Sequence, residues 1–237
     1  MLSRFLAQGY GAHDLARVTA VRDPYGAQPV AIAFGRLSLF GPGAARLHDE
    51  ILAVAAPWRE SGGEDHLQPF AEAAERQARD RLDRILRELP TDGDPFAGVA
   101  DRARTRLAAS APDDFAALWP HIRDEADARV HEAERKLADR AATESADLRR
   151  ILQSQRGAIR KALEKPPQLL LPLTPNDRQG REQIRQIEED HAYLEDRTAQ
   201  IDREIETEPA AIADLYRIVL RRLEPVGLVY LWPEGRG

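Results

Sequence analysis

The sequence predicts a mainly helical α+β protein in which a long antiparallel coiled-coil hairpin projects from a base formed by the N- and C-terminal segments. Three observations lead to this fold class. Residues 120–164 carry one stripe of apolar and small side chains at steps of three and four, with no proline after Pro120. A second stripe follows a short proline-rich segment, which favours antiparallel neighbours. Alternating apolar residues near both chain ends predict a small sheet.

The amino-terminal part of the chain predicts a β-hairpin. Residues 17–22 form the first predicted strand, and the residues from Asp23 to Gly26 supply turn chemistry. A second strand begins at Val30. Gly35 marks a β-bulge, beyond which the same strand continues to Phe40.

Helices are predicted for most of the chain between this hairpin and the arm. The Gly41-Pro42-Gly43 turn is expected to open a helix over residues 44–56. Further helical patterns cover residues 67–89, residues 96–109 and a short segment at residues 115–119. In the first of these three, the predicted buried side chains are Phe70, Ala74, Leu82, Ile85, Leu86 and Leu89.

The arm is predicted to be two helices joined at a proline bend. Pro120 suits a first helical turn, and the first helix ends at Lys165-Pro166-Pro167 because a residue before proline disfavours the α conformation. Forty-odd residues give a rod of roughly 65 Å, which needs a partner helix. The second helix supplies a heptad seam formed by Ile184, Ile187, His191, Leu194, Thr198, Ile201 and Ile205.

The carboxy-terminal part returns to the base. Thr207 is a candidate N-cap for a helix over residues 209–223. Residues 226–232 are apolar almost throughout and predict a strand that pairs with the amino-terminal hairpin. The predicted domains are therefore a base formed by residues 1–119 and 207–237, and an arm formed by residues 120–206.

Composition limits the class of protein. The chain has 237 residues, a formal net charge of −6 and 31% charged residues, so any nucleic-acid contact has to be a local patch. It has no cysteine, which excludes disulfides and thiolate metal sites. No apolar run approaches the ~20 residues that span a bilayer, and the amino terminus lacks a signal-peptide pattern. We expect no membrane partner and a cytoplasmic location.

Motifs of catalysis are missing from the sequence. It contains no phosphate-binding loop of the ATPase type, no His-Glu-x-x-His and no Gly-x-Ser-x-Gly. The six histidines do not fall at metal-ligand spacing, and His191 is interpreted as a hydrogen-bonded residue of the seam. The glycine turn at residues 41–43 lacks the third glycine of a dinucleotide site. We expect no enzyme activity and no cofactor in this chain alone.

Positive charge concentrates at the predicted tip of the arm. Nine residues form the candidate nucleic-acid-binding set, namely Arg149, Arg150, Arg156, Arg160, Lys161, Lys165, Arg178, Arg181 and Arg185. One interpretation is a solvated charged surface in which some cations complement a helix carboxyl end. The other is a basic tip that contacts nucleic-acid phosphates.

Three segments of the chain resemble a known family. They are Gly35-Arg36-Leu37-Ser38-Leu39-Phe40-Gly41-Pro42-Gly43-Ala44-Ala45-Arg46-Leu47-His48, Glu206-Thr207-Glu208-Pro209-Ala210, and Leu223-Glu224-Pro225-Val226-Gly227-Leu228-Val229-Tyr230-Leu231-Trp232-Pro233. In this order, with a long charged coiled coil between them, they resemble the carboxy-terminal region of the SWI/SNF-like (DrmD-like) helicases of bacterial DISARM anti-phage systems.

The resemblance implies an accessory role in phage defence. Such helicases are DNA-dependent ATPases that act beside a DNA methyltransferase and other DISARM proteins. Both motor lobes are missing here, so ATP and magnesium are expected only in a motor that this chain joins in cis or in trans. The implied partners are motor lobes, double-stranded DNA and other DISARM proteins. A structural coiled-coil module that binds proteins and has no nucleic-acid role is the alternative.

Overall fold

The computed structural model describes residues 17–59, 67–88, 99–165 and 178–234, leaving out the side chain of Gln179. In this part of the chain the strands are β1 (Val18–Asp23), β2 (Val30–Phe40), β3 (Arg46–Pro57) and β4 (Leu220–Pro233). The helices are α1 (Glu72–Glu88), α2 (Asp101–Leu163) and α3 (Arg178–Leu215), with a short 3-10 turn at Pro42–Ala44. The prediction of a mixed helical and β fold is confirmed.

The described residues divide into two compact units. The first contains those among residues 1–40, 44–133 and 219–237, and the second contains residues 41–43 and those among residues 134–218. Helix α2 is one continuous helix of 63 residues, and residues of both units belong to it.

The sheet of the first unit has the strand order β1-β4-β2-β3. β4 runs parallel to β1 and antiparallel to β2, and β2 and β3 form an antiparallel hairpin. The carboxy-terminal strand β4 therefore lies between β1 and β2. Its predicted pairing with the amino-terminal strands is confirmed, but the predicted hairpin between those two strands is wrong, because β4 separates them.

One face of the sheet packs against α1. Val30 and Ile32 of β2 and Leu231 of β4 share a buried cluster with the helical side chains of Ala78, Leu82 and Ile85. One residue of the predicted buried side differs from this, since Leu86 is 51% exposed. Leu89 lies outside the described residues.

The other face of the sheet meets α2, and Gly35 permits the close approach. A Cβ on Gly35 would lie 2.7 Å from Ile122 Cγ2 and 3.3 Å from the ring of Trp119. The pairing of β2 with β4 shifts register between Phe34 and Gly35, so the ladder has a bulge at the predicted place, but the extra residue is Val226 of β4 and not Gly35. A side chain on Gly35 would therefore separate helix and sheet.

A buried polar network fixes α2 to the same face. The carboxylate of Asp114 accepts hydrogen bonds from Trp58 Nε1 at 2.8 Å, from the Tyr230 hydroxyl at 2.5 Å and from the Ser110 hydroxyl at 3.1 Å. The ring of Trp58 meets Tyr230 and Trp232 edge to face. Because a buried carboxylate is costly without donors, these hydrogen bonds make Asp114 compatible with the core.

The predicted helix over residues 44–56 is wrong, since this segment is strand β3. Gly43 and Ala44 both have positive φ, 64° and 60°, and this tight turn sends the chain back along β2. The sequence pattern misled because Leu52, Ala53, Val54, Ala55 and Ala56 are all buried. A strand covered on both faces shows no alternation and resembles a short buried helix.

The predicted break before residue 120 is also wrong. Residues 101–109, residues 115–119 and the first arm helix belong to one helix, which begins at Asp101 and continues through Pro112 and Pro120. Residues 96–98 of the predicted segment lie outside the described residues. Buried positions continue across both prolines at Leu107, Ala111, Phe115, Leu118 and Ile122. Packing along this stripe outweighs the ~3 kcal/mol that an interior proline costs a helix.

The predicted helix over residues 209–223 is not a separate element. Helix α3 passes Pro209 and ends at Leu215, and β4 already begins at Leu220. Thr207 is no N-cap, because its hydroxyl donates a 3.1 Å hydrogen bond back to the carbonyl of Arg203 inside the helix. The predicted proline bend at residues 166–177 lies outside the described residues.

Candidate nucleic-acid interface

The nine predicted cations lie on two helical segments of the second unit. The α2 basic segment (residues 149–165) carries six of them, and the α3 basic segment (residues 178–187) carries three. Together these segments hold nine basic and two acidic residues, a surplus of seven positive charges in a chain whose net charge is −6. Positive charge is therefore concentrated here against an acidic remainder.

Ion pairs occupy half of the cations in the α2 basic segment. Arg156 pairs with Asp202 at 2.7 Å, and Arg160 approaches the other oxygen of the same carboxylate at 3.9 Å. Arg150 pairs with Asp147, three residues earlier in its own helix, at 2.6 Å. Two positive charges thus share one acid on α3, while the pair of Arg150 lies on an exposed helix surface where such pairs contribute little.

The remaining cations of the α2 basic segment are Arg149, Lys161 and Lys165. All three are exposed, and none forms an ion pair with another residue in the described part of the chain. An exposed ammonium or guanidinium group keeps its charge and its donors available to a phosphate oxygen.

The α3 basic segment is arranged differently. Arg185 pairs with Glu182 at 2.9 Å and lies 3.7 Å from Glu189, so local acids surround it. Arg178 and Arg181 are exposed. Farther along the helix, the ring of His191 contacts Glu195 at 3.4 Å, but the side chain is 51% exposed, so it is not a buried seam residue.

Contacts of α2 with α3, and with Tyr216 just beyond the end of α3, set the relative position of these segments. Ser145 donates to the carbonyl of Pro209 at 2.8 Å, Arg156 reaches Asp202, and the hydroxyl of Tyr216 donates to Glu144 at 2.6 Å. Residue numbers rise along one helix as they fall along the other. The two helices are therefore antiparallel where these contacts occur.

The same contacts keep the two basic segments apart. If the two helices continue at the register of these contacts, Leu163 at the end of α2 lies opposite about residue 194 of α3. Arg178, Arg181 and Arg185 then lie roughly 14–24 Å farther along α3, at 1.5 Å per residue. The contacts of the described residues thus bring Arg156 and Arg160 together at Asp202, and they do not bring the α3 basic segment against the α2 basic segment.

Asp202 is the residue of this site that sequence analysis missed. It follows Ile201, a fully buried seam residue, and so flanks the helix contact. An acid next to a seam position is a signal for a cross-helix ion pair, because such flanking positions face the partner helix. The sequence pattern could have identified the pair once the register of the two helices was known.

The described residues were also compared with other kinds of site. Among them, no group of three or more side chains could hold a metal ion. In the first unit, Tyr25, Phe70, Arg81 and Arg84 contribute to an open pocket of about 530 Å³. Its arginines already pair with acids, Arg81 with the buried Asp23 at 3.2 Å and Arg84 with Glu88 at 3.1 Å. This pocket thus presents little uncompensated positive charge to an anion.

Comparison with known proteins gave no match to a family model, to a curated protein or to a solved structure. Among the described helices, none is both long enough and apolar enough to cross a bilayer.

Proposed function

We propose that this chain is a non-catalytic accessory domain of a SWI/SNF-type DNA helicase in bacterial phage defence. In this role it contacts double-stranded DNA through the α2 basic segment. The observation that carries the DNA contact is the local surplus of positive charge, in which Arg149, Lys161 and Lys165 are exposed and not neutralised by described acids. Phosphate contacts of this kind position a protein on DNA without reading its sequence.

Lys161 and Lys165 lie about one turn apart on one side of α2, whereas Arg149 leaves the helix roughly 120–160° away from them, so the two lysines are the pair that one duplex can contact together. Arg149 and Lys165 are 16 residues apart, which corresponds to roughly 24 Å of helix. A duplex carries one phosphate charge per about 1.7 Å of its axis, so several phosphates lie within reach of such a segment. We expect weak, sequence-independent and strongly salt-dependent binding.

We further propose that α2 and α3 form a coiled-coil hairpin that presents this segment. The antiparallel contacts support this arrangement, as does the burial of Leu152 on α2 and of Ile201 on α3. Rigid helices would hold the cations at fixed spacing, which lowers the entropy lost when they bind phosphates.

The experiment is a salt titration of DNA binding by the purified chain. The variant R149E/K161E/K165E reverses three exposed cations, and R87E/R102E/R135E is a control with the same change of charge at other exposed helix positions. We expect the first variant to lose binding and to reduce the slope of log Kobs against log salt by about 0.9 per lost contact. If both variants weaken DNA binding equally, the binding depends on the net charge of the chain and not on the α2 basic segment. If the first variant binds DNA as well as the wild-type chain does, the proposed DNA contact is refuted.

The helicase role rests on the three resembling segments. The first and third contain parts of β2 and β4, which are neighbours in the sheet, and Arg36 is registered with Glu224. We propose that the motor lobes, in cis or in trans, and other DISARM proteins are its partners. Its test is to read the genomic DNA that adjoins this reading frame and to measure DNA-stimulated ATP hydrolysis by any motor found there. A motor that neither binds this chain nor changes its rate with it would contradict the role.

A structural coiled-coil module without a nucleic-acid role is the second candidate. The observation that favours it is the partial exposure of a seam isoleucine, Ile184, which is 38% exposed. Absence of salt-dependent DNA binding, together with association through this seam, would select it.

A further inference from the structure

Three arginines of the α2 basic segment lie on one side of the helix. Arg149, Arg156 and Arg160 are seven and four residues apart, so at about 100° per residue they leave α2 within about 40° of one another. Lys161 and Lys165 leave the helix roughly 100–180° away from them. The α2 basic segment therefore has two basic faces, and we call Arg149, Arg156 and Arg160 the arginine stripe.

Asp202 of α3 holds two members of the arginine stripe. One carboxylate oxygen lies 2.7 Å from Arg156, and the other lies 3.9 Å from Arg160. All three side chains are partly exposed, so the contact lies at the rim of the helix pair, where a ligand can reach it from solvent. The fully buried Ile201 precedes Asp202 and positions it against α2. One acid thus withholds two of the three arginines from other anions.

A phosphate that approaches this face has to compete with Asp202. Arg156 already donates an Nη1–H to the carboxylate, and the negative charge of Asp202 repels a phosphate oxygen at the same place. The competition is mild, because exposed ion pairs of this kind change an equilibrium constant by about fivefold at most. Arg149 forms no ion pair with another residue in the described part of the chain and is already available. The face is therefore partly closed, and removing one acid would open it.

We propose that the arginine stripe is a second DNA-binding face of α2 and that Asp202 is its autoinhibitory latch. While the latch is closed, α2 contacts the phosphates of a duplex mainly through Lys161 and Lys165. Once it is open, Arg156 and Arg160 bind phosphates on the other side of the helix. Because the acid and the arginines belong to different helices, the register of α2 and α3 decides whether the latch is closed. This inference rests on the proposed function and deepens it, since it names the residue that limits DNA binding.

A salt titration of duplex DNA binding by the full chain, with and without Asp202→Asn, tests the latch. The substitution removes the charge and keeps the shape of the side chain. We expect D202N to bind about two- to fivefold more tightly than the wild-type chain at low salt. The slope of log Kobs against log salt should steepen by about 0.9 for each arginine that gains a phosphate. Circular dichroism should show an unchanged helix content.

Asp196→Asn is the matched control. It removes the same charge from an exposed side chain of the same helix, and Asp196 forms no ion pair with any residue that the structure describes. An equal gain of affinity in D196N and D202N would show an effect of net charge and would overturn the latch. In a chain that carries R156Q/R160Q, adding D202N should raise DNA affinity no more than adding D196N does. A larger gain there would show that Asp202 acts without these arginines, which also overturns the latch.

The behaviour of the wild-type chain separates this inference from the proposed function. If the wild-type chain binds DNA and D202N gains nothing over D196N, the DNA contact stands and the latch is overturned. If the wild-type chain does not bind DNA and D202N does, the DNA contact of the closed state is refuted and the latch is supported. Absence of binding in both chains refutes both proposals.

Discussion

The hydroxyl of Tyr230 donates a 2.5 Å hydrogen bond to the buried carboxylate of Asp114, and this contact joins the central strand β4 to helix α2. Removing the acceptor should cost more than removing this donor, because Asp114→Ala also leaves the indole N–H of Trp58 without its partner. We expect losses of about 2–4 kcal/mol for Asp114→Ala and about 1 kcal/mol for Tyr230→Phe. Urea denaturation measures both, and equal losses would contradict the shared-acceptor account.

The same tyrosine predicts a loss of stability at alkaline pH. Burial raises the pKa of Tyr230 above its ordinary value of 10.0, and the hydrogen bond to Asp114 raises it further. Above about pH 10 the unfolded chain releases this proton while the folded chain keeps it, so the free energy of unfolding falls as pH rises. Tyr230→Phe should reduce this loss. An identical pH dependence in the variant, measured by urea midpoints at pH 8 to 11, would refute the assignment.

Asp49 should show the opposite dependence, at acid pH. The guanidinium of Arg36 binds its carboxylate with two hydrogen bonds of 2.9 and 2.6 Å and holds the pKa of Asp49 well below its ordinary value of 3.8. The hydroxyl of Ser38 also donates to it. The stability that this carboxylate provides is present above pH 3.8 and is lost as the pH falls through the folded pKa. Asp49→Asn should therefore be less stable than wild type at pH 7, and the difference should shrink in acid.

A double-mutant cycle with Arg36, the ion-pair partner, provides the control for Asp49. Arg36→Gln removes the same ion pair from the other side, so the double variant R36Q/D49N should lose less stability than the sum of the single losses. Strict additivity would show that the pair contributes nothing.

Substitution by alanine should have opposite effects on stability at two glycines. Gly35→Ala places a methyl group against Ile122 and Trp119 and should cost about 1–3 kcal/mol. Gly157 lies in α2 with open space around the position of its absent Cβ, so Gly157→Ala should stabilise by roughly 0.5–1 kcal/mol. Thermal denaturation of both variants decides this, and a harmless Gly35→Ala would show that helix and sheet do not meet at this point.

Removing a proline from α2 should stabilise the protein. Pro120 is exposed and lies inside the helix, so it deprives one carbonyl of its helical donor. Pro120→Ala restores that donor, and we expect a gain of about 1–3 kcal/mol, with a similar gain for Pro112→Ala. A loss of stability in both variants would contradict a helix that continues through these positions.

Sequence patterns predicted β1, β2 and part of the carboxy-terminal strand, and they failed for β3. β1 and β2 were predicted with small errors at their ends, whereas the carboxy-terminal strand begins at Leu220, inside the segment predicted as a helix. β3 was predicted as a helix because Leu52 to Ala56 are buried on both faces, and burial by α1 and α2 is a tertiary effect that local pattern does not contain. Pro120 was interpreted as a helix start because the cost of an interior proline is local and the packing that outweighs it is not.

The candidate site could be predicted in its composition but not in its arrangement. The basic residues are visible in the sequence, and their clustering is a local property. Their pairing depends on the register between α2 and α3, which places Asp202 beside Arg156 and Arg160. This register follows from contacts along the whole seam. The sequence therefore predicts which charged residues are present, and it does not predict which of them are already paired with an acid.

The position of β4 has a consequence for how this protein is made. Among the described strands, the only neighbour of β1 is β4, which begins at Leu220. β2 and β3 can pair as soon as both have been synthesised, whereas β1 has to wait until three helices and β4 have followed it. β1 is therefore unpaired while those helices are synthesised, and a premature stop codon before Leu220 leaves its edge without a partner and open to aggregation.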